Sequence, residues 1–154
     1  MQITGEADFD GRDRDRKRKR DRERAGTGGE LPAIALPSLI VLMRMTYEEW
    51  DEWTRGSAMR RAGYAGLKRN VAVALGNWGS GGDAVAVLVE ALSDAEPLVR
   101  GHSAWALGRM GQGAPAELAL AVAEALSAGL CVEEDAEVWD ELALALCSLG
   151  ESTS

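Results

Sequence analysis

Hydrophobic side chains recur at helical spacing through the second half of the chain. At about 100° per residue, three sets of five positions each form one stripe along a helix. The second set follows the first by 32 residues and the third follows the second by 39. The sets are Leu67, Val71, Ala74, Leu75 and Trp78; Val99, Ser103, Ala106, Leu107 and Met110; and Val138, Leu142, Ala145, Leu146 and Leu149.

A companion helix with its own apolar stripe precedes the second and third sets. Pro97 and Pro115 lie where a first helical turn tolerates proline, and Gly79, Gly111 and Gly150 lie where a left-handed cap would end a helix. Helix pairs repeating with a period in the thirties are typical of an α-solenoid. We therefore predict an all-α fold, a short α-solenoid of HEAT-like helix pairs, with the longer last interval accommodated near residues 127–136. The companion stripes are Val85, Leu88, Val89 and Leu92, and Leu118, Val122, Ala125 and Leu126.

The segment before these repeats also has helical signals. SLIVLMRM, from Ser38, predicts one short apolar helix, and Thr46 with Glu49 forms a capping-box pattern that starts a second. That second helix carries Trp50 and Trp53 and is expected to cap the open end of the stack. Ser57 is placed to cap a turn over residues 58–62 before the next long helix.

The first thirty residues differ in composition from the rest. Residues 12–24, RDRDRKRKRDRER, alternate charge without any apolar side chain, so they cannot bury surface to offset their ordering entropy. We predict a disordered charged tail and linker over 1–30 and a HEAT-like domain over 37–150. The nine cations of the tail could contact nucleic acid, or the tail could be only a solvated segment, because four acids dilute its field.

Composition excludes several classes of protein. The two cysteines, Cys131 and Cys147, are sixteen residues apart without a CxxC motif, so they cannot build a zinc site or an iron–sulfur cluster. The longest apolar run, residues 31–43, is shorter than a membrane span. No nucleotide-binding, metalloprotease or serine-nucleophile motif occurs. We expect a cytoplasmic chain with no membrane partner, no cofactor and no catalysis of its own.

Positive charge is concentrated in one segment. Residues 25–154 hold 8 basic and 18 acidic side chains, and five of the eight cations lie in RGSAMRRAGYAGLKRN, residues 55–70. Lys68 and Arg69 point away from the apolar stripe, which predicts that both face solvent. Cations near helix starts can form a phosphate site, since guanidinium, ammonium and free N–H groups all favour that anion. Alternatively, some arginines pair with Glu48, Asp51 or Glu52.

A second row of side chains follows the helix predicted after Pro97. Leu98, His102, Trp105 and Arg109 lie off its core stripe, with Arg100 nearby. Such a row could line a concave binding surface, because tryptophan stacks on bases and arginine binds phosphate. In the alternative interpretation, Trp105 and Leu98 pack between repeats and His102 makes one structural hydrogen bond.

Two blocks of sequence resemble a known family. RGSAMRRAGYAGLKRNVAVALGNWG and DAEPLVRGHSAWALGRMG are similar to the C-terminal HEAT-like region of bacterial tRNA epoxyqueuosine reductases, over about residues 37–150. The resemblance implies an enzyme family that uses cobalamin and two [4Fe-4S] clusters to reduce epoxyqueuosine to queuosine at the tRNA wobble position. The catalytic part that would hold these cofactors has no counterpart in this sequence.

Residue by residue, the resemblance implies two groups of tRNA-contacting positions. Together with the residues themselves, it yields two hypotheses. The chain is a tRNA-binding domain of such a reductase, either a fragment or one half of a split enzyme. It positions an anticodon stem-loop in queuosine biosynthesis, with a separately encoded catalytic subunit as a possible partner. Alternatively, it is a free-standing adaptor that binds a protein along its concave face. The basic group is Arg55, Arg60, Arg61, Lys68, Arg69 and Asn70, and the concave group is Arg100, His102, Trp105 and Arg109.

Overall fold

The structure is a computed structural model that describes residues 38–78 and 81–151, all within one compact unit. Across those two ranges the regular structure is helical and no strand occurs, which confirms the all-α prediction. The predicted tail over 1–30 lies outside the described residues. The helices are α1 (Leu39–Arg44), α2 (Tyr47–Trp53), a 3₁₀ helix (Ala58–Ala62), α3 (Gly63–Trp78), α4 (Gly82–Ala91), α5 (Pro97–Gly111), α6 (Ala116–Val132) and α7 (Ala136–Glu151).

The long helices form two layers. In the first layer α5 lies between α3 and α7 and packs against both, while α4 and α6 form the second layer and pack on α5 and α7. Leucines from the five long helices meet between the layers and are almost fully buried. This is the alternation of helix pairs that the repeated stripes predict. The leucines are Leu75, Leu88, Leu107, Leu126 and Leu142.

Glycines let the first-layer helices approach closely. A Cβ built on Gly76 of α3 would lie 2.9 Å from the Cα of Ala106 on α5. A Cβ on Gly108 of α5 would lie 2.9 Å from the Cβ of Ala145 on α7. Real Cβ atoms avoid such distances, so the spacing of α3, α5 and α7 depends on these positions having no side chain.

The predicted caps before the repeats are present. The Ser38 hydroxyl accepts a hydrogen bond from the Val41 N–H, and Thr46 and Glu49 form the complete capping box of α2. The Ser57 hydroxyl accepts from the Met59 N–H at the start of the 3₁₀ helix. These short elements pack Met43 and Trp50 out of solvent. The sequence therefore specifies both the helices and their starts in this segment.

Three predictions at helix ends are wrong. Gly111 and Gly150 lie within α5 and α7 and have no left-handed backbone, whereas Gly113 carries the positive φ, at 75°. Trp78, assigned to the core stripe, is 61% exposed, because it is the last residue of α3. The place predicted for the longer last interval is confirmed, since α6 extends to Val132 and Glu133–Asp135 form the loop before α7. Gly79 lies outside the described residues.

Candidate nucleic-acid interface

The basic segment folds into two turns and the first half of α3. Arg55 follows α2, Arg60 and Arg61 end the 3₁₀ helix, and the remaining positions lie on α3. Gly56 and Gly63 flank the 3₁₀ helix with φ of 77° and 72°, a backbone that other residues rarely adopt. The segment is thus brought to one end of the first helix layer.

Asp51 of α2 partly neutralises the segment. Arg60 forms an ion pair with the Asp51 carboxylate and donates to the Asp51 carbonyl at 3.1 Å, with its guanidinium 5.4 Å from the centre of the Trp50 ring. Arg55 approaches the same carboxylate at 3.6 Å but remains 73% exposed. The interpretation that some arginines pair with nearby acids is therefore confirmed for Asp51.

The prediction that Lys68 faces solvent is wrong. Its ammonium lies 2.8 Å from Asp94, and both side chains are only 13% exposed. The Tyr64 ring lies 5.0 Å away. Burial alone would lower the pKa of Lys68, but the hydrogen bonds to Asp94 and Tyr64 outweigh it and raise that pKa. The turn between α4 and α5 brings Asp94 to α3, which helical spacing alone does not reveal.

Three members of the basic group remain available to an anion. Arg61 is exposed and makes no ion pair within the described ranges, and Asn70 is an exposed neutral amide. Arg69 is half-buried, and its Nε is buried without a hydrogen-bond partner in the same part of the chain. The prediction that Arg69 faces solvent is therefore wrong for this nitrogen, and an oxygen could reach it only after neighbouring side chains move. Together with the exposed Arg55, these side chains form the cationic end, a name we keep for Arg55, Arg61, Arg69 and Asn70.

The Arg100 side chain is held by hydrogen bonds within the protein. Its guanidinium donates to both Glu133 oxygens, at 2.8 and 2.7 Å, and to the carbonyls of Asp94 and Ala95. The hydrogen bond from Arg100 is the main cause that lowers the pKa of Glu133 to about 2. Arg100 is thus committed to the loop before α7, and it does not line the groove described next.

A groove of about 460 Å³ runs between α3, α5 and α7. His102 and Trp105 line it as the concave row predicts, and the His102 ring lies 2.9 Å from the Leu98 carbonyl through Nδ1. Arg109, predicted in the same row, does not line the groove; it is exposed, with its guanidinium 5.6 Å from the Trp105 ring centre. We call this surface the α5 groove.

The α5 groove is acidic, which sequence reasoning missed. Asp135, Glu137 and Glu141 line its α7 side. The repeat register could have found two of them, because Glu137 and Glu141 follow Leu98 and His102 by the same 39 residues that separate the core stripes. Since carboxylates repel phosphate, the α5 groove is a poor phosphate site, and the cationic end is the better candidate.

The residues present do not fit the cofactors implied by the resemblance. In the part of the chain that the structure describes, no group of three or more His, Cys, Asp or Glu side chains could hold a metal ion. Cys131 and Cys147 are both exposed and unpaired. Among the same residues, no helix is long and apolar enough to cross a membrane.

The chain is similar in sequence to HEAT-repeat proteins and to epoxyqueuosine reductases. The family model for HEAT repeats matches residues 54–147. An epoxyqueuosine reductase of Shewanella oneidensis is 37% identical over 84 residues, which are 53% of this chain and 21% of the relative. The enzyme of Burkholderia pseudomallei is 44% identical over 82 residues, 46% of this chain and 20% of the relative. That of Salmonella typhimurium is 33% identical over 110 residues, 70% of this chain and 23% of the relative.

Two solved structures are similar to the chain. One is a crystal structure of epoxyqueuosine reductase with a tRNA-Tyr epoxyqueuosine-modified tRNA stem loop, with a TM-score of 0.65 and 28% identity over 74% of this chain and 28% of that chain. The other is a selenomethionine-labelled epoxyqueuosine reductase, with a TM-score of 0.64 at the same identity, covering 73% of this chain and 28% of that chain. The resemblance to this enzyme group is confirmed, and the chain spans about a fifth of the curated relatives' length.

Proposed function

The chain belongs to the HEAT repeat family, and we propose that it is a tRNA-binding domain that positions an anticodon stem-loop for reduction of epoxyqueuosine to queuosine. The observation that carries the proposal is the cationic end. It gathers exposed guanidinium groups at one end of an otherwise acidic molecule. Similarity to epoxyqueuosine reductases, one of them solved with a tRNA stem loop, supports the choice of RNA.

The cationic end would contact the RNA backbone rather than its bases. Arg55 and Arg61 are exposed and can reach phosphate oxygens, while the half-buried Arg69 adds positive charge beside them. Such contacts fix the position of a nucleic acid and carry no sequence information. Arg60, held by Asp51 and Trp50, supports the turn that presents Arg61. Specificity for the modified base would then come from another part of the enzyme.

The proposal assigns the redox chemistry to residues other than those described. Cobalamin and the [4Fe-4S] clusters would belong to a catalytic part, which a separately encoded subunit could provide. The domain would contribute affinity and orientation in the cytoplasm, where it meets tRNA. On this basis we expect no reductase activity from the purified chain alone.

The test is binding of a fluorescein-labelled anticodon stem-loop, followed by anisotropy at two salt concentrations. The double variant Arg55→Gln/Arg61→Gln should lose about tenfold in affinity at low salt, and its slope of log K against log salt should fall by about 2. The matched control is a pair of single variants. Arg44→Gln removes one exposed cation outside both groups of implied tRNA contacts and should change the affinity by less than about twofold, against about threefold for Arg61→Gln alone.

Two results would contradict the proposal. One is an equal loss of affinity in Arg44→Gln and Arg61→Gln, which would show that only overall charge matters. The other is wild-type affinity that does not change between the two salt concentrations, because phosphate contacts release counterions and are necessarily salt-dependent.

A further inference from the structure

We propose that the α5 groove docks a basic segment of a protein partner, one that combines lysine or arginine with apolar side chains. This site lies on a different surface from the cationic end, and the proposal does not depend on tRNA binding. It commits to an occupant whose charge complements that of the groove.

The floor of the α5 groove is apolar. Val73 of α3, Trp105 of α5 and Val138 of α7 line it, and Leu98 stands at its side with 45% of its surface exposed. A volume of about 460 Å³ falls within the range of sites that bury ligand side chains. Apolar side chains of a peptide can therefore enter the groove, as in other grooves between helices.

The rim supplies charge that has no partner in the described residues. Glu137 and Glu141 lie one helical turn apart on α7 and both line the groove, yet neither forms an ion pair there. Asp135, beside them, accepts hydrogen bonds from the N–H groups of Glu137 and Val138 and so caps α7. Two carboxylates facing an apolar floor favour a cation carried on an apolar stem.

Within the described residues, no ion pair compensates this charge. Arg100, on the adjoining helix, is committed to Glu133. No lysine or arginine follows Arg109 anywhere in the chain. The Arg109 guanidinium lies 5.6 Å from the centre of the Trp105 ring and forms no ion pair with Glu137 or Glu141 in the described residues. The field of the groove carboxylates disfavours RNA and disfavours a second copy of this acidic chain.

The experiment uses a fluorescein-labelled synthetic peptide of alternating leucine and arginine as the probe, and follows anisotropy with the full chain. The groove variant Glu137→Gln/Glu141→Gln should weaken binding at least fivefold, because it removes two charges that face the peptide. The matched control is Glu117→Gln/Glu124→Gln. It removes two exposed charges from α6, one of them also in a first helical turn, and should change the affinity by less than about twofold.

A second readout locates the peptide. In a proton–nitrogen NMR spectrum, the indole resonance of Trp105, assigned with Trp105→Phe, should shift on titration with peptide. The indole of Trp53, on α2 away from the groove, should not shift. Circular dichroism of each variant checks that the fold is retained.

Four results would overturn the proposal. Equal weakening in both double variants would indicate attraction by net charge alone, and no saturable binding to the wild type would remove the site. Loss of stem-loop affinity in the groove variant would show that the groove binds RNA. Concentration-dependent dimers of the wild type that disappear in the groove variant would show that it binds a second copy of the chain.

Discussion

At the scale of single residues, two partly buried ion pairs follow the repeat. Lys68 and Arg100 are 32 residues apart, and their partners Asp94 and Glu133 are 39 apart, which are the two intervals of the core stripes. Each pair ties a first-layer helix to the loop that precedes the next one. The sequence identifies both cations, but pairing with acids 26 and 33 residues away is a property of the tertiary fold. Sequence reasoning therefore overestimated the number of free cations.

The Arg100–Glu133 pair should make stability depend on pH. Because the folded-state pKa of Glu133 is lowered to about 2, its contribution is fully present above its ordinary pKa of 4.5 and is lost as the pH falls toward 2. We expect Glu133→Gln to lower the free energy of unfolding at pH 7 by roughly 1 to 3 kcal/mol. Urea denaturation at pH 7, 5 and 3 should show the difference from wild type narrowing below pH 5.

Glu134→Gln is the control for this prediction. Glu134 is an exposed neighbour without an ion pair in the described part of the chain, so its replacement should change the free energy of unfolding by less than about 0.5 kcal/mol. A difference between Glu133→Gln and wild type that stays constant from pH 7 to pH 3 would contradict the assignment.

At the scale of helices, the apolar periodicity predicts the buried side chains correctly where a helix has neighbours on both sides. All five stripe residues of α5, the central helix, are buried, whereas Trp78 at the end of α3 is exposed. Helix ends were harder to predict, because a glycine permits a left-handed cap without requiring one. Gly111 continues α5 since its missing side chain makes room for Leu149, whose Cδ2 would lie 2.4 Å from a Cβ there. Close packing across helices thus explains a glycine that local sequence assigned to a cap.

Glycines in α3 and α5 allow a direct test of this distinction. Gly76→Ala should destabilise the protein by about 1 to 3 kcal/mol, because its Cβ would contact the Ala106 backbone at 2.9 Å. Gly101→Ala should instead stabilise it by about 0.5 to 1 kcal/mol, since its nearest neighbours are 3.9 Å away and alanine favours a helix interior. Thermal unfolding shows whether each variant is less or more stable than the wild type. A stabilising Gly76→Ala would refute the close approach of α3 and α5.

At the scale of the whole molecule, charge is segregated along the stack of helices. The cationic end lies at the start of α3, while the α5 groove presents carboxylates from α7. The sequence showed this gradient, since cations end at Arg109 and acids continue to Glu151. It did not show that Glu137 and Glu141 share a groove with Trp105, because that requires α5 and α7 to pack in register. The molecule thereby offers separate surfaces to a polyanion and to a polycation.

The two surfaces are close enough to influence each other through their fields. Asn70 of the cationic end and Val73 of the α5 groove are three residues apart on α3, about 4.5 Å along the helix axis. The groove carboxylates should therefore oppose RNA binding when screening is weak. We expect Glu137→Gln/Glu141→Gln to strengthen stem-loop binding about two- to threefold at roughly 20 mM salt, and to have no effect at roughly 300 mM, where the screening length is only several ångströms. Anisotropy titrations at both salt concentrations measure this. An effect that persisted at high salt would mean that these side chains contact the RNA directly, and weaker binding at low salt would place the RNA in the groove instead of at the cationic end.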